Sequence, residues 1–153
     1  AEKAEACKRA GATRTILYKD EDFEAVVKAA TEGRGVNVIL DMVGGDYINK
    51  NIRSLAIDGR MVQIAFLQGS KASIDAMPIM TKRLTFTGST LRPRSDEDKG
   101  KIAQALVDEV IPMLEQGKCR PVIHAEFPLA EASKAHALME SSTHIGKIVL
   151  KVR

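Results

Sequence analysis

The sequence predicts an α/β fold built on an open, doubly wound, mostly parallel sheet. Three observations carry that prediction. Helix-period segments alternate with short apolar strand segments through residue 89, as βαβ units require. The strand VNVILDMV, residues 36–43, is a nearly unbroken apolar run, which fits burial on both faces of a parallel sheet. Three strand ends run into glycine: Asp41 to Gly45, Phe66 to Gly69, and Gly88 to Leu91.

The elements follow in order. EKAEACKRA, 2–10, is made of strong helix formers and stops at Gly11, a natural C-cap. RTILY, 14–18, reads as a short strand. DFEAVVKAATEG, 22–33, sets Phe23, Val26, Val27 and Ala30 on one helical face and stops at Gly33. After the strand at 36–43, DYINKNIRSLAIDG, 46–59, reads as a helix with Asp46 at its N-cap and with Ile48, Ile52 and Leu55 together. RMVQIAF, 60–66, is the next strand, and LQGSKAS is a loop. A short helix is expected after Pro78, then the strand LTFTGS, 84–89.

The polar segment LRPRSDEDKGK marks a boundary. Residues 99–117 predict a long helix with Ile102, Leu106 and Val110 in a stripe, kinked or restarted at Pro112 and ended by Gly117. VIHAEFP is a strand, LAEASKAHALMES an alanine-rich helix, and GKIVLKV, 146–152, the last strand.

Composition narrows the function classes. The chain has 153 residues, 44% hydrophobic and 28% charged, enough for a globular domain with a core. The net charge of +3 is spread along the chain, with no basic cluster interleaved with aromatics. That disfavours nucleic acid as a partner. No run approaches the roughly 20 apolar residues of a membrane helix. Cys7 and Cys119 form no CxxC pair, which fits a reduced, cytoplasmic protein. His124, His136 and His144 match no common zinc spacing, so no metal ligands are assigned. The chain opens at Ala1 without Met and is read as a fragment.

In open parallel sheets ligands bind beyond the carboxyl ends of the strands. The three glycine-bearing strand ends are therefore the candidate site. Composition alone reads them as ordinary strand-to-helix turns, since neither GxGxxG nor GxxxxGK[ST] is present. Asp41 has two readings, a cap for neighbouring backbone amides or a catalytic acid. The cap is favoured, because no His, Lys or second acid lies nearby in sequence.

Three stretches carry a family likeness: NVILDMVGGDYINKNIRSLAIDGRMVQIAF, GSTLRPRS and FPLAEASKAHALMESSTHIGKIVL. They resemble the zinc-independent quinone oxidoreductases, the zeta-crystallin-like and p53-inducible members of the medium-chain dehydrogenase/reductase superfamily. The resemblance implies a C-terminal half. Residues 1–92 would be part of an NADP-binding Rossmann domain lacking its first strands and glycine-rich loop. Residues 93–153 would be the C-terminal part of the catalytic domain.

The resemblance also implies roles. Lys3 would face the adenosine 2′-phosphate of NADPH and Tyr18 would share that pocket, a cation and a phenol that suit a phosphate; Arg14 is read as a solvated side chain. Met42 would line the adenosine side. Phe66 and Leu67 would meet the nicotinamide carboxamide through their backbone, with Gly69 a further cofactor-binding residue of the same loop. Ser89, Thr90 and Leu91 would run along the nicotinamide, with Ser142 and Lys147 as lesser candidates. No residue is assigned as catalytic acid or base. The implied activity is NADPH-dependent reduction of a quinone by the full-length enzyme, a homodimer paired near LTFTGS, with the fragment alone inactive. The alternatives are an enone or 2-alkenal reductase, and a non-catalytic nucleotide- or RNA-binding protein on the same fold. With the strands before RTILY missing, residues 36–43 would be left as an open apolar edge, and the expectation is a partner chain over it or a rearranged RTILY.

Overall fold

The computed structural model describes residues 2–153. They form two compact units, Arg14–Arg94 and a second made of the N-terminal segment to Thr13 with Ser95–Arg153.

The Arg14–Arg94 unit is a three-stranded parallel sheet in the order β1-β2-β3, with β1 Val36–Asp41, β2 Leu55–Gln63 and β3 Thr85–Gly88. Helix α2, Phe23–Ala30, precedes it. Helices α3, Tyr47–Ser54, and α4, Met77–Thr81, are the crossovers, and the short helix expected after Pro78 is α4, which starts one residue earlier and holds Pro78 in its first turn. The core is Ile48, Ile52, Leu55 and Met61, with Val36, Ile39, Ile79 and Leu84 packed against it. The predicted trio Ile48, Ile52 and Leu55 is buried.

Four expectations are corrected here. RTILY is not a strand: residues 14–17 are irregular, and Asp20 and Glu21 amides turn back onto the Leu17 carbonyl at 2.8 and 2.9 Å. The described residues hold no strand beside it, and a strand without a ladder partner leaves its amides unpaired. Correspondingly, β1 pairs with β2 alone and is an edge. Second, the helix expected over 46–59 ends at Ser54, where Leu55 turns extended with φ −72° and ψ 145°. Four residues of β2, 56–59, bulge out between the pairs Val36↔Leu55 and Val38↔Arg60, with Asp58 at φ 60°. Third, Asp46 sits at the N-cap of α3 but makes no side-chain cap bond. Fourth, helices lie on one face of this sheet, not both. The chain steps β1, β2, β3 in one direction, and right-handed crossovers then put α3 and α4 on the same side. The other face leaves Val38 64% and Leu40 65% exposed.

The second unit carries α1, Glu2–Arg9, closed at Gly11 as predicted: the Gly11 amide donates to Lys8 O at 2.9 Å and the Ala12 amide to Cys7 O at 3.0 Å. Helix α5, Asp96–Ala105, starts three residues before the expected 99, capped by Ser95, whose Oγ accepts the Asp98 amide at 3.1 Å. A π-helical turn, Leu106–Val110, then leads into α6, Ile111–Glu115. The break falls at Pro112, which lacks the amide a continuous helix needs. The predicted stripe is not buried: Ile102 is 39% and Leu106 50% exposed. Strands β4, Ile123–Pro128, and β5, Lys147–Lys151, form a separate parallel pair, with α7, Ala132–Glu140, between them.

Candidate functional site

The site is built where β1, β2 and β3 end. Asp41, the last residue of β1, is buried, and its carboxylate accepts the Val43 amide at 2.7 Å and the Gly44 amide at 3.1 Å. This is the cap that the sequence favoured. It satisfies two amides that the chain would otherwise strand as it leaves the sheet.

Beyond the strands the ladder continues through the loops. Ile64 N donates to Asp41 O at 2.8 Å, Leu67 N to Met42 O at 3.1 Å, Gln68 N to Val43 O at 2.8 Å, and Gly45 N to Gly69 O at 2.9 Å. The two loops are thus zipped side by side. Gly44 makes this possible. At φ +72°, a Cβ there would lie 2.6 Å from Gly69 O and 2.7 Å from Phe66 Cδ1.

The third loop joins through Ser89, whose amide donates to Gln63 O at 3.0 Å. Arg94 braces that loop from behind: Nη2 donates to Ser89 Oγ at 3.1 Å and Nε to Thr90 O at 3.3 Å. Sequence reasoning gave no role to Arg94 and Gln63, although both lie in stretches that carry the family likeness, since both act on backbone carbonyls or a hydroxyl close in sequence or on a neighbouring loop.

The structure therefore brings Met42, Phe66, Leu67 and Gly69 together by direct backbone bonds, with Ser89, Thr90 and Leu91 tied to the same strand end. The side chains of Met42, Phe66, Leu67 and Leu91 are 50%, 48%, 75% and 56% exposed, so the edge offers apolar surface. Tyr18, 63% exposed, lies in the same unit and lines an open cavity of about 380 Å³ with Phe23, Tyr47, Asp41 and Leu67. Phe23 and Tyr47 stack there at 5.4 Å between ring centroids. Lys3 and Ser142 belong to the second unit, where Lys3 Nζ donates to the Ser142 carbonyl. Lys147 opens β5 in that unit, its amide held by Val122 O at 2.7 Å.

A parallel α/β sheet with three linked loops at its carboxyl edge defines a Rossmann-type unit, the architecture of dinucleotide-binding proteins. The family profile described as zinc-binding dehydrogenase matches residues 10–150, and this chain belongs to that family. It is 29% identical to the quinone oxidoreductase-like protein 2 homolog of Nematostella vectensis, over 94% of this chain and 39% of that one. It is 32% identical to a 2-haloacrylate reductase of a Burkholderia species, over 97% of this chain and 45% of that one. Among solved structures, a mycobacterial quinone oxidoreductase superposes with a TM-score of 0.78 at 25% identity, covering 97% of this chain and 45% of that one. The chain spans about two-fifths of the length of the quinone oxidoreductase-like relatives it matches. The quinone oxidoreductase likeness and the α/β class expected from the sequence are thereby borne out.

The family name raises zinc. Among the described residues no group of three or more His, Cys, Asp or Glu is placed to hold a metal ion. No described helix is long and apolar enough to cross a membrane.

Proposed function

We propose that this chain supplies part of an NADPH-dependent quinone oxidoreductase. The observation that carries the reading is the zipped edge of Met42–Gly45 and Phe66–Gly69, joined to Ser89–Leu91 through Gln63. It offers peptide groups for a carboxamide and apolar side chains for flat rings, in a family of dehydrogenases. When bound, the reduced nicotinamide supplies the hydride. The chain's own residues bind and orient. Phe66, Leu67 and Gly69 present backbone to the nicotinamide end, Ser89, Thr90 and Leu91 flank it, and Met42 lines the adenosine side. Tyr18 and Lys3 serve the 2′-phosphate. Residues 1–92 act as the nucleotide-binding part and 93–153 as the catalytic-domain part.

Titration with NADPH and NADH, read by nicotinamide fluorescence, tests the cofactor. Saturable binding that favours NADPH is expected, and equal affinity for both would remove the role given to Lys3 and Tyr18. Kinetics of the full-length enzyme with quinones and with activated alkenes then test the acceptor. The likeness to a 2-haloacrylate reductase supports the second reading, reduction of an alkene conjugated to a carbonyl. We further propose a homodimer paired along β3, whose four residues are all exposed and whose outer edge has no strand partner among the described residues. Sedimentation velocity giving a monomer at micromolar concentration would remove the dimer.

A further inference from the structure

Gln63 ends β2 and is 5% exposed, although its neighbours in the strand are largely apolar. Its Nε2 donates to two carbonyls, Ala65 O at 2.6 Å and Asp41 O at 3.3 Å. Its backbone carbonyl accepts the Ser89 amide at 3.0 Å. One residue thereby holds all three strand-end loops. The amide orientation is fixed by these contacts, because the flipped form would set Oε1 against two carbonyl oxygens.

That orientation leaves Oε1 buried without a partner. Methionine would fill similar space and strand no acceptor, so packing alone does not account for a glutamine here. The backbone supplies the reason. A peptide group is planar and trans, so the Ala65 carbonyl and the Phe66 N–H point in opposite directions. Drawing the Ala65 carbonyl onto a buried side chain aims the Phe66 N–H away from the protein interior. That N–H donates to no group among the described residues. The Asp41 carbonyl and the Met42 N–H are related in the same way.

We propose that Gln63 is a positioning residue: its two Nε2–H bonds fix the Ala65 and Asp41 peptides, so that the Phe66 N–H stands ready to donate to an acceptor oxygen of a bound ligand. The ligand being a nicotinamide dinucleotide rests on the reading above; the locking of the peptides does not.

The test uses Gln63→Met and amide hydrogen exchange by NMR on this chain. The variant is expected to exchange the Leu67 and Gln68 amides about tenfold faster while the Ile52 amide in α3 is unchanged. In the unaltered chain both Nε2 protons are expected to exchange slowly, a readout that needs no variant to fold. In the enzyme carrying this chain, Gln63→Met is expected to raise KM for NADPH about tenfold, with kcat at saturation moved less than about twofold, because the loops must then be ordered on binding. Fast-exchanging Nε2 protons, or unchanged loop exchange in a folded Gln63→Met, would overturn the proposal, whatever the cofactor experiments show. Loosened loops in a protein that binds neither NADPH nor NADH would leave Gln63 its positioning role and remove the dinucleotide reading.

Discussion

At the scale of single residues, Asp41 and Gly44 set the shape of the strand end by opposite means. Asp41 contributes an acceptor where two amides turn inward, and Gly44 contributes the lack of a side chain where two loops touch. Asp41→Ala is expected to lower stability by about 2–4 kcal/mol, since two buried amides lose a charged acceptor. Asp41→Asn, which keeps one carbonyl oxygen, is expected to cost roughly half as much. Urea midpoints at constant m-value read both. Gly44→Ala is expected to cost about 2–4 kcal/mol, because its Cβ meets the Gly69 carbonyl and the Phe66 ring. Gly69→Ala is the control: its φ of +99° is strained, but nothing lies within 4 Å of the added carbon, and about 1 kcal/mol is expected. Equal costs for the two would show that the loop contact is not what requires Gly44. Asp41 was legible in the sequence because an acid inside an apolar run needs partners and the next residues supply amides. Gln63 was not, since a glutamine gives no hint of which carbonyls will surround it.

At the scale of elements, α3 shows where sequence patterns stop being informative. Its apolar spacing continues to Leu55, yet the helix ends at Ser54. The stop signal comes from far along the chain: Lys82 Nζ donates to the carbonyls of Arg53 at 2.9 Å and Leu55 at 2.7 Å. A cation there suits a helix C-terminus and satisfies carbonyls that the helix leaves free. Lys82→Met is expected to cost about 1–2 kcal/mol in a thermal or urea melt, and Lys82→Arg less. Where the signal is local, the reading holds, as at Gly11 after α1 and Pro112 in the broken C-terminal helix. Elements are also joined by charge. Arg53 on α3 grips Glu24 on α2 with two bonds of 2.8 and 2.7 Å. The hydrogen bond from Arg53 holds the Glu24 carboxyl below its ordinary value of 4.5. A lowered folded-state pKa means the pair contributes above that ordinary value and is lost as pH falls through the lowered one. The stability gap between the native chain and Glu24→Gln should therefore be small but present at neutral pH, shrink on acidification, and shrink with salt because the pair is largely exposed. A gap that widens in acid would contradict this.

At the scale of the whole molecule, burial is uneven. Among the described residues, the buried hydrophobics Ile48, Ile52, Leu55, Ala56 and Met61 lie in the Arg14–Arg94 unit, and only Ala135 lies in the other. Hydrogen exchange is expected to be slowest in α3 and β2 and much faster through α5, α6 and the β4–β5 pair. Comparable protection in both would contradict the burial pattern. The exposed pair Val38 and Leu40 on an edge strand predicts self-association, so replacing both with Lys is expected to lower light scattering at unchanged melting temperature. The parallel α/β class was legible because periodicity and strand-end glycines are local. The single-sided sheet and the irregular 14–18 segment were not, since both depend on which neighbours a strand has. The zipped loops carry a last consequence, for how this edge tolerates added length. Met42, Val43 and Gly45 are bonded in turn to Leu67, Gln68 and Gly69, so a one-residue insertion between them in either loop would put the following bonds out of register. The stretch from Ser70 to Ala72 has no such counterpart, and it is there that the chain has room to lengthen and to acquire new contacts while the edge beside it stays as it is.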